Sequence, residues 1–153
     1  MWRIIYSTVT ASGTASLTMS GLNGNVDKDY RLSIIGTSTG NDKMTLSFNS
    51  DTTSGNYTTQ RMYGVGAVDG ADVDNTPSGI LLNSANTLTF LNTVEISAAT
   101  GFYRQLFSRS AITASDYIAL ILGTWDDNST NITQIVLTGG VDAGMRVVLW
   151  ARR

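Results

Sequence analysis

The chain has 153 residues, 42% hydrophobic and 14% charged, with a net charge of -2 and neither cysteine nor histidine. This length fits a single domain over residues 1–153 with a buried core. The composition excludes a disulfide framework and thiolate chemistry. It also argues against a nucleic-acid surface, since the only basic cluster is Arg152 and Arg153. The most apolar run, residues 117–122, is too short to cross a membrane.

The polar residues are mainly Ser, Thr and Asn, glycine is frequent and glutamate occurs once, which is typical of an all-β protein. We therefore expect an antiparallel β-sandwich, jelly-roll-like, of roughly nine or ten short strands. Apolar residues, in several places alternating with polar ones, and the turn signals between them predict strands, in chain order, at residues 2–7, 15–19, 30–36, 44–49, 57–63, 88–96, 102–110, 132–138 and 146–151. A continuous apolar run at 117–125 predicts a central strand, and a short apolar stretch predicts another at 79–82.

Residues 44–66 form the stretch around which the other elements are arranged. Met44, Leu46 and Phe48 alternate with Thr45 and Ser47, which predicts a strand with one buried and one solvated face. A run of turn-forming residues, 49–56, then leads into the next strand. We expect the small, acidic segment at 64–78 to be a long mobile loop.

The residue types leave few routes to catalysis. Without histidine the chain lacks the commonest general base and the commonest metal ligand. A pair of carboxylates of the glycosidase type stays open as an alternative, but no spacing indicates one. We expect no enzymatic activity, no catalytic residue and no cofactor.

Three acidic pairs raise the question of a calcium site. None has the spacing of a known calcium loop, so turn formation is the preferred interpretation, and we expect no bound metal. The pairs are Asp27/Asp29, Asp72/Asp74 and Asp126/Asp127.

Aromatic residues near strand ends suggest a ligand rim. Trp125 precedes Asp126 and could stack on a sugar, although a place in the core is the more frequent role of such a residue. Trp2 and Trp150 are expected in a core or a subunit contact. The candidate interface or ligand rim consists of Asp51, Tyr57, Tyr63, Trp125 and Asp126.

Several short pieces of the chain together resemble a known group. They are residues 21–24 (GLNG), 29–32 (DYRL), 46–49 (LSFN) with Asp51, 55–57 (GNY) with Gln60, 101–104 (GFYR), and Ile132, Ile135 and Leu137 before a closing Val-Leu-Trp strand. The pattern resembles small virion structural proteins of tailed bacteriophages, built as β-sandwich or jelly-roll domains. Residues 64–78 depart from that pattern.

The resemblance implies a multi-copy building block without catalytic residues. The role that it favours is that of a capsid decoration (cement) protein. Such a protein would bind the major capsid protein on the outer shell as a homo-oligomer, most simply a trimer. The alternative is a minor tail or fibre protein, with a saccharide- or receptor-binding role. In either case the protein belongs to the virion, is assembled in the bacterial cytoplasm, and binds neither nucleic acid nor membrane.

Overall fold

The computed structural model describes residues 1–12, 14–38, 43–53, 55–66, 68–74, 78–83, 88–112 and 117–153. Within these ranges the chain forms twelve strands and one single-turn helix. They are β1 (Trp2–Val9), β2 (Ser16–Ser20), α1 (Gly24–Asp27), β3 (Asp29–Ser38), β4 (Met44–Phe48), β5 (Tyr57–Val65), β6 (Val68–Asp74), β7 (Ile80–Asn83), β8 (Leu88–Ser97), β9 (Arg104–Ile112), β10 (Tyr117–Trp125), β11 (Gln134–Thr138) and β12 (Arg146–Arg152). No helix in the described ranges has the length and apolar character that a membrane crossing requires.

The strands make two antiparallel sheets. The large sheet has the strand order β1-β12-β3-β8-β9-β10-β5-β6, and the small sheet has the order β2-β11-β4-β7. The chain passes repeatedly from one sheet to the other, as it does in a jelly roll. Buried side chains of both sheets, such as Phe48 on β4 and Ile121 on β10, form one core between them. The prediction of an all-β antiparallel sandwich is confirmed, with twelve described strands in place of nine or ten.

The large sheet has two distinct faces because most of its strands alternate between buried and exposed residues. Strand β12, which is buried at residues 147–149 in succession, is an exception. On β10 the odd-numbered residues from Ala119 to Trp125 are buried, and Ile118, Leu120 and Leu122 are exposed. Strand β9 shows the same alternation. We call the face that packs on the small sheet the inner face and the opposite one the outer face.

Strand β4 is buried on both faces, so the expectation that Thr45 and Ser47 are solvated is wrong. Only 8% of Thr45 and 4% of Ser47 is exposed. The reason is the position of β4 between β11 and β7, where Thr45 lies opposite Leu81 and Ser47 opposite Val136, both of them buried. A strand buried on both faces does not need strict alternation of apolar and polar residues.

The segment at 64–78, expected to be a long mobile loop, contains strand β6. This strand pairs with β5 along its whole length and forms one edge of the large sheet. Arg61 on β5 binds Asp72 on β6 at 2.5 Å. A Cβ atom at Gly70 would come within 2.5 Å of the Tyr63 ring, so the small residue lets the aromatic ring lie flat there. Residues 67 and 75–77 of the expected loop lie outside the described residues.

Candidate functional site on the outer face of the large sheet

A groove of about 590 Å³ crosses the outer face of the large sheet. Its lining comes from seven adjacent strands, from β1 at one edge to β5. Adjacent strands lie about 4.8 Å apart, so the groove reaches at most roughly 29 Å across the sheet. We call it the outer groove. The outward-facing residues that line it are Trp2, Asp29, Arg31, Thr58, Gln60, Glu95, Ser97, Gln105, Phe107, Leu122, Thr124 and Arg152.

One end of the outer groove is built from Trp2 and two ion pairs. The guanidinium carbons of Arg31 and Arg152 lie 4.8 Å and 5.3 Å from the centre of the Trp2 ring. Arg31 donates to Glu95 Oε1 at 2.9 Å, and Arg152 donates to Asp29 Oδ2 at 2.6 Å. The two positive and two negative charges balance, so this end of the groove is electrically neutral while it offers both donors and acceptors.

The middle of the outer groove combines a polar row and an apolar row. Thr124 on β10 lies opposite Gln105 on β9 and Thr58 on β5. Two residues away on β10, Leu122 lies opposite Phe107 on β9, and these two form the apolar row. On the other side of Leu122, Gln60 on β5 ends the row with an amide. Hydroxyl and amide groups therefore stand beside an apolar floor, which is the combination found in small-ligand sites.

Next to the outer groove, the same face becomes apolar towards edge strand β6, and this apolar area shares Leu122 with the groove. Ile118 is 64% exposed, Met62 58% and Val73 58%, and Leu120 and Leu122 are also exposed. These five residues, which we call the apolar patch, are neighbours on strands β10, β5 and β6. Four of them line a second depression of about 310 Å³. A contiguous exposed apolar surface of this kind is typical of an interaction site.

The aromatic residues proposed for the ligand rim from sequence form a buried cluster instead. Trp125 is only 2% exposed, and its ring packs 5.3 Å from Phe48 and 6.4 Å from Tyr57, measured between ring centres. The Tyr57 hydroxyl accepts a hydrogen bond from the Phe48 N–H and donates one to the Asp51 carbonyl. Burial raises the pKa of Tyr57. Trp125 and Tyr57 therefore belong to the core, and neither presents a ring on which a sugar could stack.

Asp51 ties this cluster to the loop between β4 and β5. Its carboxylate accepts hydrogen bonds from Trp125 Nε1 at 2.8 Å, from Asn56 Nδ2 at 2.9 Å and from the Thr53 N–H at 2.9 Å. Burial alone raises the pKa of Asp51, but the hydrogen bonds from Asn56, Thr53 and Trp125 outweigh it and lower the pKa to about 2. The carboxylate is thus a structural acceptor that holds the loop in place.

The other two proposed rim residues lie apart from each other. Asp126 is exposed, and its backbone N–H donates to the Asn56 carbonyl at 3.0 Å beside the Asp51 cluster. Tyr63 lies further along β5, partly buried, with its ring 5.9 Å from Tyr117. The five candidates therefore do not form one rim, and none of them lines the outer groove.

The acidic pairs considered as calcium sites are mostly engaged by arginines. Asp27 is bound by Arg3 and Arg153, Asp29 by Arg152 and Asp72 by Arg61. Burial raises the pKa of Asp127, but hydrogen bonds from Thr130 and Ser129 outweigh it and lower the pKa to about 2. The side chain of Asp74 lies outside the described residues. Among the side chains that the structure describes, no three such groups come together to hold a metal ion.

Sequence reasoning missed the outer groove. It placed Trp2 in a core or a subunit contact and gave no role to Arg31, Glu95 or Arg152. Strand alternation can assign each of them to a face, but Arg31 and its partner Glu95 are 64 residues apart in the chain. Only the pairing of β3 with β8 brings them together.

Comparisons with known proteins add little to this description. No protein-family model matches the chain, and no curated protein matches it. One similar solved structure is that of a double mutant of the alginate lyase Aly36B in complex with alginate tetrasaccharide, with 12% identity over 90% of this chain and 80% of that chain. The TM-score of this match is 0.27, which is too low to carry an argument about function.

Proposed function

We propose that the chain is a non-enzymatic structural protein of a tailed-bacteriophage virion, namely a capsid decoration protein that binds the outer shell as a homo-oligomer. Support comes from the resemblance of its short sequence pieces to such proteins and from its sandwich fold. The two carboxylates that line the outer groove are each engaged by an arginine, an arrangement that suits binding better than acid–base catalysis. In this proposal the protein is located in the virion, and its partners are further copies of itself and the major capsid protein.

The apolar patch is the observation that carries the proposal. It contains three outward side chains of β10, Ile118, Leu120 and Leu122, next to Met62 on β5. The patch continues to β6, an edge strand of the large sheet. An apolar face beside an open edge is a liability for an isolated molecule and is commonly covered by association.

We assign the apolar patch to contact with further copies of the same chain. Multi-copy shell components assemble by closed symmetry, and in such assemblies the same surface recurs on every subunit. Arg61 lies opposite the buried Ile121, so it and its partner Asp72 belong to the inner face and not to the patch. Beside the patch, Arg109 is exposed opposite Leu120 and makes no ion pair among the described residues. A single arginine at its margin leaves the patch mainly apolar, which suits association with further copies of the same surface. A trimer is the assembly that fits a threefold site on a shell.

Light scattering at micromolar concentration tests this assignment with two matched variants. Ile118→Gln changes a 64% exposed isoleucine within the apolar patch, and Ile4→Gln changes a 62% exposed isoleucine on β1 at the opposite edge of the same face. We expect Ile118→Gln to weaken self-association at least about tenfold, a loss of about 1.4 kcal/mol, and Ile4→Gln to leave it unchanged. A wild-type protein that is monomeric at high micromolar concentration would contradict the assignment, and so would equal effects of the two variants.

Immunogold electron microscopy of virions tests the location. Labelling of the head supports the decoration role, and labelling of the tail contradicts it and favours the second candidate function. That second candidate is a minor tail or fibre protein that recognises a saccharide receptor. The specific observation in its favour is the outer groove, which has the volume of a small-ligand site.

A further inference from the structure

We propose that the outer groove binds an uncharged oligosaccharide that lies across the strands of the large sheet. The inference names the ligand class of the receptor-binding candidate above, on which it rests. It gives a binding role to residues that the sequence analysis did not assign to a ligand site, with Trp2 at one end of the groove and Gln105 and Gln60 along it.

The shape of the outer groove favours a long, thin ligand. Its volume of about 590 Å³ is spread over seven strands, from Trp2 on β1 to Thr58 on β5. A cavity of this volume within one deep pocket would suit a compact molecule, whereas the same volume in a shallow cleft suits a chain of linked units. The groove runs across the strands, so such a chain would contact one or two side chains from each strand in turn.

The charge balance of the groove favours an uncharged ligand. Arg31 and Arg152 are the two arginines that line it, and both are already bound to carboxylates, Glu95 and Asp29. A polyanion such as nucleic acid or a uronic-acid polymer needs cations that are free to neutralise it. Here a polyanion would compete with two carboxylates for these arginines, and a cationic ligand would compete with two arginines for the carboxylates. The guanidinium carbon of Arg109, which has no ion pair among the described residues, lies 5.3 Å from the ring centre of the floor residue Phe107, but Arg109 does not line the groove.

The hydrogen-bonding groups match a ligand rich in hydroxyls. A sugar hydroxyl both donates and accepts, and each ion pair presents donors and acceptors fixed next to each other. Gln105, which is exposed, adds an amide, and Thr124 adds a hydroxyl directly opposite it on β10. The apolar floor at Phe107 and Leu122 can then take the less polar face of a sugar ring.

An extended peptide is the main competing ligand, and the structure disfavours it. Peptides that bind to sheets usually add a strand at an open edge, where backbone N–H and C=O groups are unpaired. The groove lies on a sheet face whose central strands, β8, β9 and β10, are paired on both sides. It therefore offers side chains and not a backbone ladder.

A glycan array and isothermal titration calorimetry test the proposal. The probes are neutral oligosaccharides of hexoses and N-acetylhexosamines, three to five units long, with a uronic-acid tetramer and a single-stranded DNA as polyanionic probes. We expect the protein to bind at least one neutral oligosaccharide and neither polyanion. Failure to bind any neutral probe at millimolar concentration, or preference for a polyanion or a peptide, would overturn the proposal.

Two variants locate the binding site, and one serves as a matched control. Gln105→Ala should weaken binding of the best neutral probe by about tenfold or more, as the loss of a pair of hydrogen bonds predicts. Gln134→Ala, on β11 of the small sheet and outside the groove, should leave binding unchanged. Glu95→Gln frees Arg31 and should shift selectivity towards the uronic-acid tetramer. Equal affinities of the two alanine variants, or no shift in selectivity with Glu95→Gln, would count against the site.

The same protein preparations separate this inference from the proposed virion roles. Light scattering should show that Gln105→Ala keeps the oligomeric state of the wild type while its sugar binding is reduced. Sugar binding that fails while head labelling persists would overturn only the ligand assignment. Sugar binding by a protein that is absent from the virion would leave the groove assigned and remove the virion role.

Discussion

On strands β8, β9 and β10 of the large sheet, a mainly apolar inner face that contains a few buried polar residues contrasts with an outer face that exposes several apolar ones. The inner face buries Asn92, Ser108 and Ser110, and the outer face exposes Leu120 and Leu122. The three inner side chains have no hydrogen-bond partner among the described residues, which costs stability. Burial against the small sheet therefore holds these three polar side chains inside a mainly apolar face, at a cost in stability that the rest of the core offsets.

The two faces also differ in the surroundings of their tryptophan side chains. Trp125, on the inner face, is fixed by a hydrogen bond to Asp51 and by contacts with neighbouring rings. Trp2, on the outer face, is partly exposed and lies beside two arginines at the end of the outer groove. A difference of this kind separates residues that stabilise the fold from residues that are available for binding, and it can be tested by matched substitutions.

The largest expected effect is on the inner face, at Trp125. Trp125→Ala should lower the free energy of unfolding by about 3–5 kcal/mol, the range for deleting a buried aromatic side chain. Trp2→Ala, on the partly exposed outer face, should cost much less. Urea denaturation of both variants measures the difference. If Trp125→Ala prevents folding, Trp125→Phe provides the comparison, because it keeps a ring and loses the N–H that binds Asp51. Similar losses of unfolding free energy for Trp125→Ala and Trp2→Ala would contradict the distinction between a stabilising inner face and a binding outer face.

An intermediate effect is expected at Asp51, which holds Trp125 in place. Asp51→Ala should cost about 1–3 kcal/mol at neutral pH, because it leaves the buried Trp125 N–H without an acceptor and removes two further hydrogen bonds to the loop. The pKa of Asp51 is lowered from 3.8 to about 2 in the folded protein. The stabilisation is therefore fully present above about pH 4 and is lost as the pH falls through about 2.

Thermal melting between pH 7 and pH 2 checks the effect of Asp51. The wild type should lose stability over the acidic range, and Asp51→Ala should show a shallower loss there. Asp126→Ala is the control, since this exposed neighbour makes no side-chain hydrogen bond among the described residues and should change little. A pH profile of Asp51→Ala parallel to that of the wild type would show that the carboxylate does not act through these hydrogen bonds.

The smallest effect is expected from the buried hydroxyls of the inner face. Ser110→Ala removes a hydroxyl that is 2% exposed and unpartnered among the described residues. It should raise the free energy of unfolding by up to about 1 kcal/mol, since the desolvation cost of the hydroxyl disappears. Ser97→Ala makes the same chemical change on the exposed outer face of β8 and should be neutral. Destabilisation by Ser110→Ala would mean that the hydroxyl stabilises the fold. It would contradict the view that the buried polar side chains of the inner face reduce stability.

Local pattern in the sequence was enough to identify most of the fold. Alternation of apolar and polar residues located the strands, and it placed Met44, Leu46 and Phe48 in the core, where all three are buried. This works because neighbouring side chains of a strand point to opposite faces, so apolar residues at every second position mark a buried face. The pattern did not reveal that the other face of β4 is buried as well. The all-β class followed from the same pattern.

Only the tertiary structure determined what each face of a strand packs against. It buried Trp125 against Phe48 and formed strand β6 in a segment that lacks an apolar pattern. It also assembled the outer groove from residues far apart in the chain, with Trp2 and Arg152 from its two ends and Arg31 from between them. Such features depend on the pairing of β1, β12 and β3, and therefore on contacts between residues far apart in sequence. A local pattern reports that a residue is on a face, and the packing of distant strands determines whether that face is core, interface or binding groove.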